Sequence, residues 1–178
     1  MLERNENIPT VMRRHSIEPT VFVLSKGSDG KNNIMAAGWN GKCSYDPPMV
    51  TVALSNKGYT HNLVRQTGQF VLAVPSPGQE ELLEYVGSVS GSDVDKFLER
   101  DIPTEQAAQI DVPLLSNARV NFECTVANEV VTGDHFLFVG LIRAAYYNVD
   151  KDQVFFAGRN DRGERVYKVA ETDFPDDK

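Results

Sequence analysis

Apolar and polar residues alternate from Ala118 onward: Val120, Phe122, Cys124 and Val126 are apolar, while Asn121, Glu123 and Thr125 are polar. A period of two predicts a half-buried strand. After the turn residues TGDH, the run HFLFVGLIRAAYY returns as a second strand, so the two predict a long antiparallel hairpin. Nearer the N-terminus, TVFVLSKG (Thr20 to Gly27) and the apolar run IMAAGW flank the turn-forming SDGKNN, which predicts another hairpin. Pro47-Pro48 breaks the chain before the strand MVTVALS, because proline has no amide for a central ladder. YTHNLVRQTG predicts a short helix, with Thr60 capping its first amides and Gly68 ending it. QFVLAVPS (Gln69 to Ser76) is the next strand.

From Gly78 to about Ile110 the pattern turns mostly polar. QEELLEYV, SDVDKFLER and TEQAAQI predict three short helices outside a sheet, and the two charged termini read as loose. Short strands joined by turns, without regular strand–helix alternation, predict a mainly β fold, an antiparallel barrel or sandwich with a few peripheral helices. A doubly wound nucleotide fold is disfavoured. Neither GxGxxG nor a P-loop occurs, so a phosphate-bearing ligand needs another cradle.

With 178 residues and no internal linker, residues 1–178 form one domain with its core at about 19–170. Lys and Arg number 18 against 25 Asp and Glu, a formal charge of -7 that repels nucleic acid. Two cysteines, Cys43 and Cys124, without C-x-x-C spacing give neither a disulfide framework nor a zinc cluster. The charged start MLERNENIPTVMRRH lacks a signal-peptide core, and no apolar run approaches the roughly 20 residues of a membrane span. The expectation is a cytoplasmic protein without membrane, metal or nucleic-acid partners.

Three stretches carry candidate chemistry. SNKGYTHN (Ser55 to Asn62) runs from a strand end into a helix start, where free amides, Lys57 and the Thr60 hydroxyl suit a phosphate; from the residues alone an ordinary capped helix with a solvated Lys is the favoured reading. In GWNGKCS the glycines admit a planar ligand to the backbone and Trp39 can cover one ring face. Its bland reading is a core Trp beside a turn, with Cys43 a small buried hydrophobe. Gly133-Asp134-His135 forms a hairpin tip where His135 is either a ligand donor or an unremarkable turn histidine.

The order NIMAAGWNGKCSYDPPMVTVALSNKGYTHNLVRQTGQFVLAVPS, then SGSDVDKF, then GDHFLFVG, resembles the flavin reductase-like family of FMN-binding split barrels, and within it the flavoredoxin branch. The likeness covers about Pro19 to Tyr147. It implies an antiparallel split β-barrel and a homodimer with FMN near the subunit interface. It also implies an oxidoreductase that takes hydride from NADH or NADPH and passes electrons to an acceptor. Carried onto this chain, Gly38 and Trp39 stand beside the flavin ring, with the backbone of Asn40, Gly41, Cys43 and Ser44 near its polar edge. Lys57 and Thr60 stand at the phosphate, Asn56 is a further cofactor-binding residue, and Lys96 and His135 are further flavin contacts, in part from the partner subunit. A C-terminal aromatic touches flavin in the same branch; Tyr167 is its first candidate, with Phe155 and Phe156 as alternatives. The rival implication is a non-catalytic FMN-binding electron carrier serving a redox protein partner. A weaker one is a barrel for another planar ligand such as haem.

Overall fold

The structure, a computed structural model, describes residues 6–14 and 17–171. A short helix α1 (Ile8–Arg14) precedes strands β1 (Val21–Lys26), β2 (Asn32–Ala37), β3 (Asn40–Tyr45) and β4 (Pro48–Ser55). Helix α2 (Tyr59–Thr67), strand β5 (Gln69–Val74), helices α3 (Glu80–Ser88) and α4 (Lys96–Arg100), and the short strands β6 (Thr104–Glu105) and β7 (Leu114–Leu115) follow. The long strands β8 (Val120–Thr132) and β9 (His135–Tyr147) and a final hairpin, β10 (Gln153–Arg159) and β11 (Arg165–Ala170), complete the chain.

Seven strands form one antiparallel sheet in the order β2-β1-β5-β8-β9-β4-β3. Its edge strands, β2 and β3, are consecutive in the chain and separated only by Gly38 and Trp39. Ala37 and Asn40 are three Cα steps apart, about 11 Å at most, so the sheet curls far enough to bring the ends of its two edge strands together at that corner. The mainly β class with a few helices expected from the sequence is the class observed.

Curling sorts the apolar residues into two clusters. Val21, Val23, Val52, Leu54, Phe70, Leu72 and Phe138 fill the inside of the roll, where Val64 of α2 joins them. Phe22, Leu24, Val71 and Ala73 point outward and are covered by Leu83 and Val86 of α3 and by Val112, Leu114 and Leu115. Strands β1 and β5 are thus buried on both faces, which is why VFVL and FVLA are continuous apolar runs while β4 alternates.

Three expectations are corrected. TEQAAQI is not a helix: only Thr104–Glu105 is regular, as a strand paired with β7. The Glu123 carboxylate, fully buried on the outward face of β8, accepts from the amides of Ala108 (2.8 Å) and Gln109 (2.7 Å) and from the Tyr146 hydroxyl (2.6 Å). Those amides are captured by a side chain distant in sequence, so a helical ladder does not form. Second, Ile8–Arg14 near the N-terminus is helical rather than loose, while residues 172–178 lie outside the described part. Third, Asn40–Tyr45 of GWNGKCSY is an edge strand, with its backbone committed to β4 on one side.

The other half of the sheet differs. On β4 and β9, Met49 pairs with Leu141, Thr51 with Val139 and Ala53 with Leu137, all half-buried and all outside both clusters. Among the described residues, no helix packs on that face.

Candidate functional site

The Gly38-Trp39 corner is held by its neighbours' backbone. Asn40 turns its side-chain amide back onto the carbonyls of Pro19 (2.6 Å), Ala37 and Gly38 (both 3.2 Å), and the Trp39 carbonyl accepts from Ala53 N at 2.8 Å. A side chain at position 38 would meet the Glu18 carboxylate, which would have to swing aside, so the glycine lets Glu18 lie against the corner. Trp39 itself is 48% exposed, with its ring centroid 4.5 Å from that of His135. The core-Trp alternative is thereby excluded.

This corner opens on a cleft of about 950 Å³. Thr20, Ala36, Ala37, Gly38 and Trp39 form one side, Asp134 of the β8–β9 tip another, and Phe156, Gly158, Arg159, Arg165 and Tyr167 of the β10–β11 ribbon a third; Pro9 and Met12 of α1 also line it. Among the three candidate C-terminal aromatics, Tyr167 and Phe156 both line the cleft, packed edge to face at 6.2 Å, and Phe155 does not. Burial, foremost, pushes the Tyr167 phenol above its ordinary value, so the hydroxyl remains a neutral donor and acceptor at neutral pH.

At the hairpin tip the Asp134 carboxylate accepts from His135 Nδ1 at 2.7 Å. A carboxylate only accepts, so Nδ1 is the donor and Nε2 is the ring nitrogen that Asp134 does not engage. The His135 hydrogen bond, then its charge, and more weakly the nearby Lys57 hold Asp134 below the usual carboxylate range. Asn56 N donates to the Asp134 carbonyl at 3.0 Å, which ties SNKGYTHN to the tip. Lys57 is exposed and forms no ion pair within 4.0 Å among the described residues. Helix α2 begins at Tyr59 with Gly58 as its cap residue and no side-chain cap, leaving its first amides open.

Thr60 therefore does not cap the helix. It is buried, and its hydroxyl accepts from Asn33 Nδ2 at 2.9 Å. Lys96 is 3% exposed and does not line this chain's cleft, and its ammonium donates to the carbonyls of Ile34 (2.9 Å) and Val86 (2.8 Å). Desolvation pushes it down to about 8. Gly41, Cys43 and Ser44 lie farther along β3, away from the lining of the cleft, and Cys43 is exposed at a bulge rather than buried. Cys124, by contrast, is buried and its thiol is pushed up to about 12, which makes it inert. Sequence reasoning missed Glu18, Arg159 and Arg165, and read Asp134 only as a turn residue. The arginines had one visible signal, their symmetric placement about the turn residues of RNDRGER.

Comparison with known proteins agrees with this architecture. The family described as "Flavin reductase like domain" matches residues 12–164. An uncharacterized protein of Archaeoglobus fulgidus is 38% identical over 115 residues, 63% of each chain. An NADH-dependent flavin reductase of Rhodococcus sp. is 31% identical over 116 residues, 65% of this chain and 61% of that protein. The matches thus span somewhat under two thirds of these two relatives. Among solved structures, an FMN-binding protein from Thermus thermophilus with bound p-hydroxybenzaldehyde has a TM-score of 0.82 at 25% identity, covering 98% of this chain and 99% of that one. Flavoredoxin of Desulfovibrio vulgaris (Miyazaki F) shares the fold, with a TM-score of 0.77 at 24% identity over 90% and 91% of the two chains. With most of its length matched by the family and the same fold throughout, this chain belongs to the flavin reductase-like family.

Proposed function

We propose that the chain binds FMN in the Trp39 cleft and acts as an oxidoreductase that draws electrons from NADH or NADPH. The observation that carries this reading is the half-exposed indole of Trp39 beside a glycine, on the wall of a cleft large enough for a nucleotide. A planar ring system fits that wall, and the open amides of α2 with Lys57 fit its phosphate. The names of the Rhodococcus reductase and the Thermus FMN-binding protein support the same ligand.

When bound, FMN supplies a two-electron acceptor for hydride. The chain's own residues position and shield it. Trp39 covers one ring face, and the Gly38 backbone permits close approach without a side chain. His135, with its proton fixed on Nδ1 by Asp134, presents Nε2 as a hydrogen-bonding and proton-exchanging group. Lys57 supplies the charge opposite the phosphate.

A homodimer is part of the proposal. The half-buried outer face of β4 and β9 carries Met49, Ala53, Leu137, Val139 and Leu141, and a second copy would complete its cover by placing the same patch against itself.

The test is the absorption spectrum of the purified protein reconstituted with FMN, followed by anaerobic addition of NADH or NADPH. Flavin absorption with quenched emission from Trp39, the only Trp of the chain, is expected, and then bleaching by at least one nucleotide. Protein that takes up no flavin overturns the reading. Bound flavin that neither nucleotide bleaches points instead to an electron carrier, for which the net charge of -7 suits docking to a basic redox protein.

A further inference from the structure

The β10–β11 ribbon carries a conflict that its own stability does not explain. Arg159 and Arg165 are direct cross-strand partners. Like charges in that register destabilise a hairpin, and such local violations mark functional sites. Both arginines line the cleft.

A bulge brings them there. The register shifts between Phe156 and Gly158, leaving Ala157 unpaired, and Gly158 adopts a φ of 115°, a value L side chains rarely take. In a regular strand, Phe156 and Arg159 are three residues apart and face opposite ways. With the extra residue they share one face, opposite Tyr167 and Arg165 respectively. The ribbon therefore presents two aromatic rings and two guanidinium groups to the same cleft.

Protein groups leave most of this positive charge open. Arg165 Nη1 meets Glu84 at 2.9 Å, while Arg159 Nη1 donates to the Gly163 carbonyl at 2.6 Å. The adjacent carboxylate of Glu164 accepts from Asn160 instead, and among the described residues Arg159 makes no ion pair. Two guanidinium forks with one bonded nitrogen each leave several donors for an anion. Both charges also act on the Tyr167 hydroxyl, which places the three groups in one neighbourhood.

We propose that Arg159 and Arg165, aligned by the Gly158 bulge, hold the pyrophosphate of the nicotinamide dinucleotide against the Phe156–Tyr167 wall. This rests on the flavin reading above and assigns the electron donor its own subsite, distinct from Lys57 and the open amides of α2. Two neighbouring bidentate cations match two linked phosphates, whereas the flavin's single phosphate has its proposed cradle at Lys57 and the amides of α2, outside the lining that the arginines share.

The test uses the FMN-loaded protein and measures binding of NAD⁺, NADP⁺, ADP-ribose and nicotinamide mononucleotide by calorimetry, alongside FMN and riboflavin affinities. Arg159→Gln and Arg165→Gln should each weaken NAD⁺ and ADP-ribose by about tenfold, with the mononucleotide affected less and FMN unchanged. Arg159→Lys should recover part of the loss. Weakened FMN with unchanged riboflavin would assign the pair to the flavin phosphate and overturn the proposal; so would unchanged ADP-ribose binding in both variants, or a wild-type protein that binds FMN but no dinucleotide. Failure of the flavin reading itself appears separately, as wild-type protein that takes up no FMN; ADP-ribose binding measured on that protein still decides the arginine pair.

Discussion

The two halves of the rolled sheet solve the same problem differently. On β1 and β5 the outward residues Phe22, Leu24, Val71 and Ala73 are buried under α3 and the 102–118 segment, so that half is finished by its own chain. On β4 and β9 the outward Met49, Leu137, Val139 and Leu141 have no such cover. Equal apolar faces with unequal cover mean that the first half sets the monomer's stability, while the second is the face that the proposed homodimer would bury. The cleft lies where the halves meet, at the two residues joining the edge strands.

The sharpest way to break this contrast is to damage each half in turn. Phe22→Ala removes a fully buried ring from the covered half and should cost about 3 to 5 kcal/mol in denaturant melts, enough to unfold much of the protein. Val139→Asp, on the other half, should leave the fold intact and instead separate the proposed dimer, read by sedimentation. A Val139→Asp protein that unfolds, or that sediments like wild type, would erase the distinction.

Glu123 tests how the covered half is held. Burial alone would raise its carboxyl, but the Tyr146 hydroxyl and the amides of Ala108, Gln109 and Ile110 outweigh burial and hold it below the ordinary carboxylate value. A carboxyl with a depressed folded pKa contributes stability that is present above the unfolded value and lost as pH falls through the folded one. Glu123→Gln should therefore cost about 2 kcal/mol at pH 7, because an amide nitrogen replaces an acceptor facing two backbone donors. The gap between variant and wild type should narrow in acid, and urea melts at neutral pH and near pH 3 would show it.

Trp39 is the test at the boundary. Its exposure makes it a poor core residue, so Trp39→Ala should cost roughly 1 kcal/mol of apoprotein stability, well short of the 3 to 5 expected for a buried Trp. Flavin affinity should fall more steeply, as read by equilibrium dialysis. A large loss of stability with unchanged flavin affinity would return the indole to the covered half.

What the sequence revealed follows the same division. The continuous runs of β1 and β5, the period of β8 and the glycine that ends α2 are local signals, and each marks its element. The loop over 104–117 escaped because its amides answer to Glu123, a residue far along the chain. The β10–β11 ribbon escaped for another reason: the bulge at Ala157 breaks the alternation by which a strand is recognised. At the site, Gly38, Trp39, His135 and Tyr167 were reached through family likeness, and the structure brings them to one cleft or against its wall. Arg159 and Arg165 had no such route, since only register makes them neighbours.

Lys96 gives the smallest effect and the finest separation of structure from site. Its ammonium joins β2 to α3 through the carbonyls of Ile34 and Val86, inside the covered half. Its folded pKa, about 8 against 10.5 for the free side chain, means that folding disfavours the charged form. Between those two values the unfolded chain binds the extra proton, so Lys96 makes stability rise with pH across that window. Lys96→Met should remove that rise. At neutral pH the lost hydrogen bonds and the relieved desolvation oppose one another, so the net change should stay within about 1 kcal/mol. Flavin affinity should not move, because the ammonium is turned onto backbone rather than into the cleft. A Lys96→Met protein with normal melting and weakened flavin would instead restore this lysine to the flavin contacts that the family likeness implied.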